Sequence, residues 1–480
     1  MTWELLIDIG YILLIIGICL HIVYNTPSND KALAYVLITI FVPLVGIAVY
    51  FAFGTNRRKN KLYSKKIVRN KTTLADLRER IALESEKALD TQEQAIKKHR
   101  KLALYLLNDG MSPLTGGNQV ELLINGENKF PKVLEALRNA KHHIHIQYYI
   151  FEDGDIAEEI KNVLMQKAQE GVAVRFIYDD FGSRSIRRSF VNEMKAAGIE
   201  AYPFYKIHFI LLANRVNYRN HRKIIVVDGC TGFVGGINVS DRYINKSGQL
   251  FWRDTHVKII GPGVYYLQYL FISDWNFCAG KRLKLEKDFF CTKPVEHGKA
   301  TVQIAASGPD SDAPTIMFSM VQTIGLAEKE LLITTPYFIP GQAIMDALHV
   351  AAISGVSIKI LVPDKSDSAF VNTAARSYYA DLLAVGVEIY MYQKGFVHAK
   401  TLVSDGQMAI IGTANMDHRS YDLNFEVNSM IYDIATAKQL RDIFFDDIKQ
   451  AKKISPNVWK KRPYYKQLPE KLARLMSPLL

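Results

Sequence analysis

Two segments of this chain carry one pattern. The first runs His221-Arg222-Lys223 through Asp228-Gly229 to Gly235 and Asn238. The second runs His398-Ala399-Lys400 through Asp405-Gly406 to Gly412 and Asn415. Both read H-x-K-x4-D-x6-G-x-x-N. Each fixed residue type is a small share of an average chain, so a match at any given His has a chance on the order of 10⁻⁵. Two matches mark an internal duplication, and the chain must fold as two similar halves. In a strand, successive side chains point to opposite faces, so the His and Lys of each copy share one face. Asp-Gly then reads as a tight hairpin turn.

The flanking sequence repeats as well. In the first half, strand-like 143–151 is followed by helical 155–170, strand 172–180, helical 189–197 and strand 199–204. In the second, strand 330–339 is followed by helix 343–353, strand 356–364, helix 370–384 and strand 387–392. The assignments rest on apolar spacing, and Gly171, Gly198, Gly355 and Gly386 end the helices. GIEAYPF and GVEIYMY are alike by eye. Alternating strands and helices predict an α/β fold. Each half is expected to be a mixed, largely parallel sheet flanked by helices. The halves are expected to be pseudo-twofold related, with their motifs meeting at the interface. The first half is placed at 115–295 with its motif region at about 215–242, and the second at 296–480 with its motif region at about 392–419 and a C-terminal tail.

The N-terminus is different. Leu5–Tyr24 is mostly apolar, interrupted by Asp8 and His21, and residues 34–53 are uncharged. Each is long enough to span a bilayer as a helix. The expectation is an anchor over 1–56 with transmembrane helices at about 4–24 and 33–53. The first segment has a signal peptide as its alternative, but MTWE lacks a basic start and no small-residue cleavage site is evident. Residues 57–71 carry eight basic and no acidic side chains, so the positive-inside rule puts the globular part on the cytoplasmic side. The same run would attract anionic headgroups. A linker over 57–114 follows, with helical character over 72–112 and no chemistry of its own. Four Cys without metal spacing argue for neither a zinc site nor a disulfide framework. The net charge of +12 fits an anionic partner, nucleic acid or an acidic membrane.

A paired His/Lys set suits a phosphodiester, whose phosphorus is shielded by negative oxygens. A covalent intermediate splits the displacement into two easier steps. One imidazole attacks, and the other protonates the leaving alkoxide and then deprotonates the acceptor. Lys223 and Lys400 would neutralise the non-bridging oxygens, and Asn238 and Asn415 would donate hydrogen bonds to them. No metal or other cofactor is required. A catalytic His needs an orienting carboxylate. Glu426 follows His398, and Asp254 follows His221, each in an apolar strand-like context; a structural charge is the alternative. Asp228 and Asp405 sit at turns and are expected to be mainly structural. Tyr148, Tyr149, Tyr337 and Phe338 are candidates for a substrate groove or for the core. The tail around Trp459–Tyr465 would sit at the membrane interface or pack on the domain.

The paired H-x-K-x4-D motifs over roughly 115–450 resemble the phospholipase D superfamily. PSNDKALAYVLITIFVPLVGIAVYFAFG, YYIF, NHRKI, HRSYDLNFEVN and LARLMSPLL extend the resemblance to the bacterial cardiolipin synthases. It implies catalytic His221, Lys223, Asp228, His398, Lys400 and Asp405, with His221 as nucleophile and His398 as acid/base. It also implies reversible phosphatidyl transfer between two phosphatidylglycerol molecules, through a phosphohistidine, at the bacterial cell membrane. Phosphatidylglycerol and anionic lipids are then the expected partners, and nucleic acid is not. Thr413 stands where the family often has Ser and keeps the hydroxyl. The rivals are a phospholipase D or nuclease using water, or another alcohol as acceptor, and a catalytically idle scaffold. Intact motifs weigh against the last.

Overall fold

A computed structural model describes residues 3–26, 29–51, 78–90, 93–186, 188–205, 218–291, 295, 298–475 and 477. The basic run 57–71, residues 72–77 and the start of the first motif region (215–217) lie outside the described residues.

Helix α1 (Trp3–Asn25) has mean hydropathy 2.5 and is long enough to cross a membrane. The second apolar run is not one helix. It is broken into α2 (Asn29–Phe41) and α3 (Pro43–Val49). Pro43 restrains the residue before it from the helical region, and Val42 sits at φ −137°, ψ 71°. The chain folds back there. Gly46 lies so close to Thr39 that a Cβ would meet its Cα at 2.4 Å. Tyr50 Oη then reaches His21 Nδ1 at 2.9 Å. The 13 residues of α2 rise about 20 Å against a hydrocarbon core of about 30 Å. The expected span over 33–53 is therefore a short helical hairpin against the end of α1.

The first half contains β1 (Thr115–Ile124), β2 (His143–Tyr148), β3 (Ala173–Tyr178), β4 (Glu200–Pro203), β5 (Ile224–Val227), β6 (Thr231–Gly235), β7 (Phe251–Arg253) and β8 (Thr255–Ile260). The second contains β9 (Ala300–Ser307), β10 (Glu330–Thr334), β11 (Phe338–Ile339), β12 (Ser357–Pro363), β13 (Glu388–Tyr392), β14 (Gly395–Val397), β15 (Thr401–Ser404), β16 (Met408–Gly412), β17 (Met416–Asp417), β18 (Glu426–Tyr432) and β19 (Ala451–Lys453). Fifteen of them form one sheet, ordered β19-β13-β12-β10-β15-β16-β18-β9-β1-β8-β6-β5-β2-β3-β4. Outward from the antiparallel β1–β9 contact, β8-β6-β5-β2-β3-β4 repeats β18-β16-β15-β10-β12-β13. The duplication is thus a pseudo-twofold within one continuous sheet. Within this sheet, among the described residues, parallel pairing is confined to β2-β3-β4 and β10-β12-β13, where helical crossovers return the chain. The motif hairpins β5–β6 and β15–β16 and everything inward of them are antiparallel, so the sheet is mixed rather than largely parallel.

Helices Asn125–Arg138, Asp155–Gln169 and Arg188–Ala196 cover the first half, and their Leu134, Leu137, Ile160, Leu164 and Met194 pack with Ile144, Ile146 and Phe176. Helix Gln94–Gly110 precedes the first half but belongs to the second, where Ile96, Leu102 and Leu106 share a core with Ile316, Met320 and Ile333. What reads as a connecting helix is a cover for the far half. The tail packs on the domain, as one of its two expected placements had it. Trp459 is buried beneath the Arg462 guanidinium, whereas Tyr464 and Tyr465 are exposed.

Cys230 and Cys291 are joined as a disulfide, against the expectation of none. The 61-residue separation hides the pairing in the sequence. Cys230 follows the Asp228-Gly229 turn, and the chain at Phe289 crosses that turn so closely that a Cβ on Gly229 would meet the Phe289 carbonyl oxygen at 2.2 Å. That crossing brings the two cysteines side by side.

Candidate active site

The two motif hairpins lie on either side of the pseudo-twofold. His221 immediately precedes the Arg222-Lys223 approach to β5, and His398 holds the same place before β15. Their main chains are fixed by strands from the other half. His398 N–H donates to Arg253 O at 2.7 Å, and β14 pairs parallel with β7. His221 N–H donates to Phe425 O at 3.0 Å.

The orienting carboxylates are crossed. His221 Nδ1 meets Glu426 Oε2 at 2.9 Å, and His398 Nδ1 meets Asp254 Oδ2 at 2.6 Å. Each carboxylate follows the motif of its own half in sequence but serves the histidine of the other. Both are fully buried. With Nδ1–H donating to the carboxylate, Nε2 of each ring presents its lone pair to the space between the halves. Thr413 Oγ1 donates to Glu426 Oε2 at 2.5 Å, which gives the retained hydroxyl a task. The equivalent place before Asn238 is Gly236, where a Cβ would meet Asp254 Oδ1 at 2.2 Å. A longer carboxylate with a hydroxyl partner on one side thus matches a shorter one with no room for a side chain on the other.

Lys223 Nζ donates to His221 O at 2.7 Å, and Lys400 Nζ to His398 O at 2.5 Å, so each ammonium lies folded beside its histidine. Burial holds the Lys223 ammonium down to about 7 and Lys400 to about 8. Burial likewise pulls both imidazoles to about 4, and the neighbouring carboxylates oppose that shift only in part. Desolvation disfavours every charge here unless a counter-charge enters. A bound phosphodiester would be that counter-charge, raising the proton affinity of all four basic groups together.

The remaining candidates divide. Asn415 leaves its Oδ1 buried and, among the described residues, without a partner, whereas Asn238 Nδ2 donates to Tyr243 Oη at 2.9 Å. Asp228 and Asp405 stand at the far ends of the hairpins, away from the histidines. They sit in the left-handed region at φ 51° and 52°. Asp228 accepts from the N–H groups of Lys141, His142 and His143. Asp405 accepts from those of Glu328, Lys329 and Glu330. They anchor the starts of β2 and β10, the structural role expected of them, and do not join the reacting cluster. Of the groove candidates, Tyr149 flanks the His221 ring at 4.8 Å, Tyr148 and Phe338 are core, and Tyr337 donates to Asp367 at 2.7 Å. Sequence reasoning missed Trp252, Phe396 and Tyr243, whose rings lie 5.5, 5.7 and 5.9 Å from that of His398. Phe396 is two residues from His398, the one signal that pointed there.

Residues 133–265 and 320–448 match the family described as "Cardiolipin synthase, PLD-like domain". Each matched span holds one motif and one of the crossed carboxylates. Cardiolipin synthase 1 of Bacillus anthracis is 38% identical over 473 residues, covering 97% of this chain and 92% of the relative. The chain belongs to the cardiolipin synthases of the phospholipase D superfamily. Listeria monocytogenes serotype 4a cardiolipin synthase is 38% identical over 452 residues, covering 93% of each chain. Among solved structures, the phosphatidylserine synthase of Haemophilus influenzae Rd KW20 superimposes with TM-score 0.60 at 14% identity, covering 79% of this chain and 100% of that one. It shares the fold. As a cardiolipin synthase this chain is a phosphatidyltransferase, and the whole-length matches take in the N-terminal helices that the two domain matches leave out.

Proposed function

We propose that the enzyme moves a phosphatidyl group from one phosphatidylglycerol to a hydroxyl of another, giving cardiolipin and glycerol. The observation that carries this is the pair of imidazoles, each held through Nδ1 by a buried carboxylate and each with a lysine beside it. In the order the superfamily resemblance implies, His221 Nε2 attacks phosphorus. The bond to glycerol oxygen breaks, and His398 gives that oxygen a proton. His398, now neutral, takes the proton of the incoming hydroxyl, whose oxygen attacks phosphorus and releases His221. One phosphodiester replaces another, so the reaction runs either way. Lys223 and Lys400 neutralise the non-bridging oxygens, and Asn238 and Asn415 donate Nδ2–H to them. The proton on His398 arrives with the substrate, because the phosphodiester charge lifts an imidazole that burial otherwise keeps neutral.

The assay uses membranes containing the full chain and radiolabelled phosphatidylglycerol, with no added metal or nucleotide. Cardiolipin and glycerol in equal amounts are expected. Phosphatidic acid as the main product would make water the acceptor and the enzyme a phospholipase D.

The placement proposed is the bacterial cell membrane, crossed by α1, with the catalytic part on the cytoplasmic side; the expected second crossing is not supported by the α2–α3 hairpin. Helix α1 and the basic run 57–71 support it. The cytosol keeps cysteine pairs reduced even where their geometry allows a disulfide, so the Cys230–Cys291 pair, joined in the structure, gives a direct test. Cells are quenched in acid, denatured and alkylated with and without prior reduction. On the cytoplasmic placement the pair is expected to open to two thiols, both labelled without reductant. Labelling that needs reductant would put the domain outside.

A further inference from the structure

The reacting phosphate is served by duplicated residues. His, Lys and Asn occur once in each half at matching positions. The rims around them are not duplicated. Two residues before His221 stands Arg219, and two before His398 stands Phe396. On the His398 side the rim is aromatic and acidic, with Trp252, Phe396, Tyr337 and Asp367. On the His221 side it is cationic. The Phe181 ring carries two guanidinium groups, Arg184 at 4.0 Å and Arg219 at 4.3 Å. Arg419 is a further electrostatic neighbour of Arg219.

Arg219 is 3% exposed, and among the described residues neither of its Nη atoms has a hydrogen-bond partner. A buried guanidinium left without acceptors is costly. The nearby carboxylate, Asp179, offers Arg219 its charge but accepts its hydrogen bonds from the main chain. Its Oδ1 accepts from Phe181 N and Gly182 N at 3.0 and 2.9 Å, and its Oδ2 from Asn220 N at 3.1 Å. Those bonds fix the Phe181 turn against Asn220, the residue before His221. Gly182 packs so closely on Tyr149 that a Cβ would meet the Tyr149 carbonyl oxygen at 2.3 Å. Tyr149 in turn is the ring beside His221. Arg219 is therefore built onto the wall of the active site with its Nη donors to fill. Arg242, which matches Arg419 in the duplication, pairs with Glu152 at 2.8 Å.

We infer that Arg219, with Arg184 and Arg419, forms a second phosphate subsite that holds the phosphodiester of the acceptor lipid while the duplicated residues hold that of the donor. The inference rests on the proposed transfer between two phosphatidylglycerol molecules. It supplies what a water-tolerant phosphohistidine needs, a preference for an anionic alcohol over a neutral one. Guanidinium forks are suited to phosphate oxygens.

The test compares two reactions of the same phosphoenzyme in phosphatidylglycerol vesicles. One is cardiolipin formation, which needs an acceptor phosphate. The other is exchange of radiolabelled glycerol into phosphatidylglycerol, in which the acceptor is neutral. Arg219→Gln is expected to lower the ratio of cardiolipin to exchange by about tenfold or more, the loss of charge-assisted hydrogen bonds to one ligand. Arg219→Lys should restore part of it. An unchanged ratio, or an equal fall in both reactions, overturns the inference. Should Arg219→Gln fail to fold, the exposed Arg184→Gln decides. A ratio lowered by roughly threefold supports the subsite, and an unchanged one overturns it. Failure of the underlying reading is separate, since wild-type enzyme would then make phosphatidic acid and no cardiolipin.

Discussion

His221→Ala and His398→Ala each lower cardiolipin formation by about 10⁴-fold or more, and they fail at different steps. The two imidazoles occupy equivalent positions, 9% and 7% exposed, so burial alone does not separate nucleophile from acid. The intermediate does. With a phosphate-labelled phosphatidyl ester of p-nitrophenol, a leaving group that needs no proton from His398, His398→Ala should accumulate label on the protein, stable to base and labile to acid. The nucleophile remains, and what is lost is the group that activates the acceptor. His221→Ala should carry no label, because the side chain that forms the bond to phosphorus is gone. Label on the His221 variant and none on the His398 variant would exchange the roles. The pseudo-symmetry permits that exchange, and the order of the halves in the chain does not forbid it.

Glu426→Gln and Asp254→Asn are the next largest losses, expected at about 10²–10⁴-fold in turnover with little change in binding. An amide in place of either carboxylate keeps the shape but offers its N–H₂ to Nδ1. The ring then turns to the other tautomer and presents an N–H where a lone pair is needed. The crossing makes the outcome diagnostic. Glu426 contacts His221 at 2.9 Å although it lies 205 residues away, so Glu426→Gln must reproduce the defect of His221 and form no labelled intermediate. Asp254→Asn must reproduce that of His398 and accumulate label. If each variant instead copied the histidine of its own half, the crossed geometry would be wrong. Steady-state rates and label trapping on four purified variants decide between these patterns.

Local sequence signals carried the fold a long way. Strands at 143–148, 173–178 and 357–363 and the helices between them follow from apolar spacing and terminal glycines. The shared face of His and Lys follows from the two-residue repeat of a strand. What spacing does not carry is contact between distant segments. Nothing near Glu426 says that it belongs to His221 rather than to His398, because the choice is made where β7 meets β14 across the halves. Cys230 and Cys291 are hidden for the same reason. The role of Gln94–Gly110 is hidden because its apolar stripe says that it is covered but not by what. Pro43 was visible, but its effect depends on what surrounds the helix. Here the chain turns at Val42 and packs α3 on α2. The basic rim at Arg219 is visible only as an extra charge before a motif. Its meaning comes from the acceptors that it lacks.

The exchanged carboxylates also bear on how the protein is made. Ribosomes add roughly 5–20 residues each second, so the 205 residues between His221 and Glu426 take roughly 10–40 s to emerge. For that time the newly made first half holds a histidine with nothing to set its tautomer, beside the lipids on which it will act. Reactivity is withheld until the last strands dock, and a truncated or half-folded chain stays chemically silent at the membrane surface.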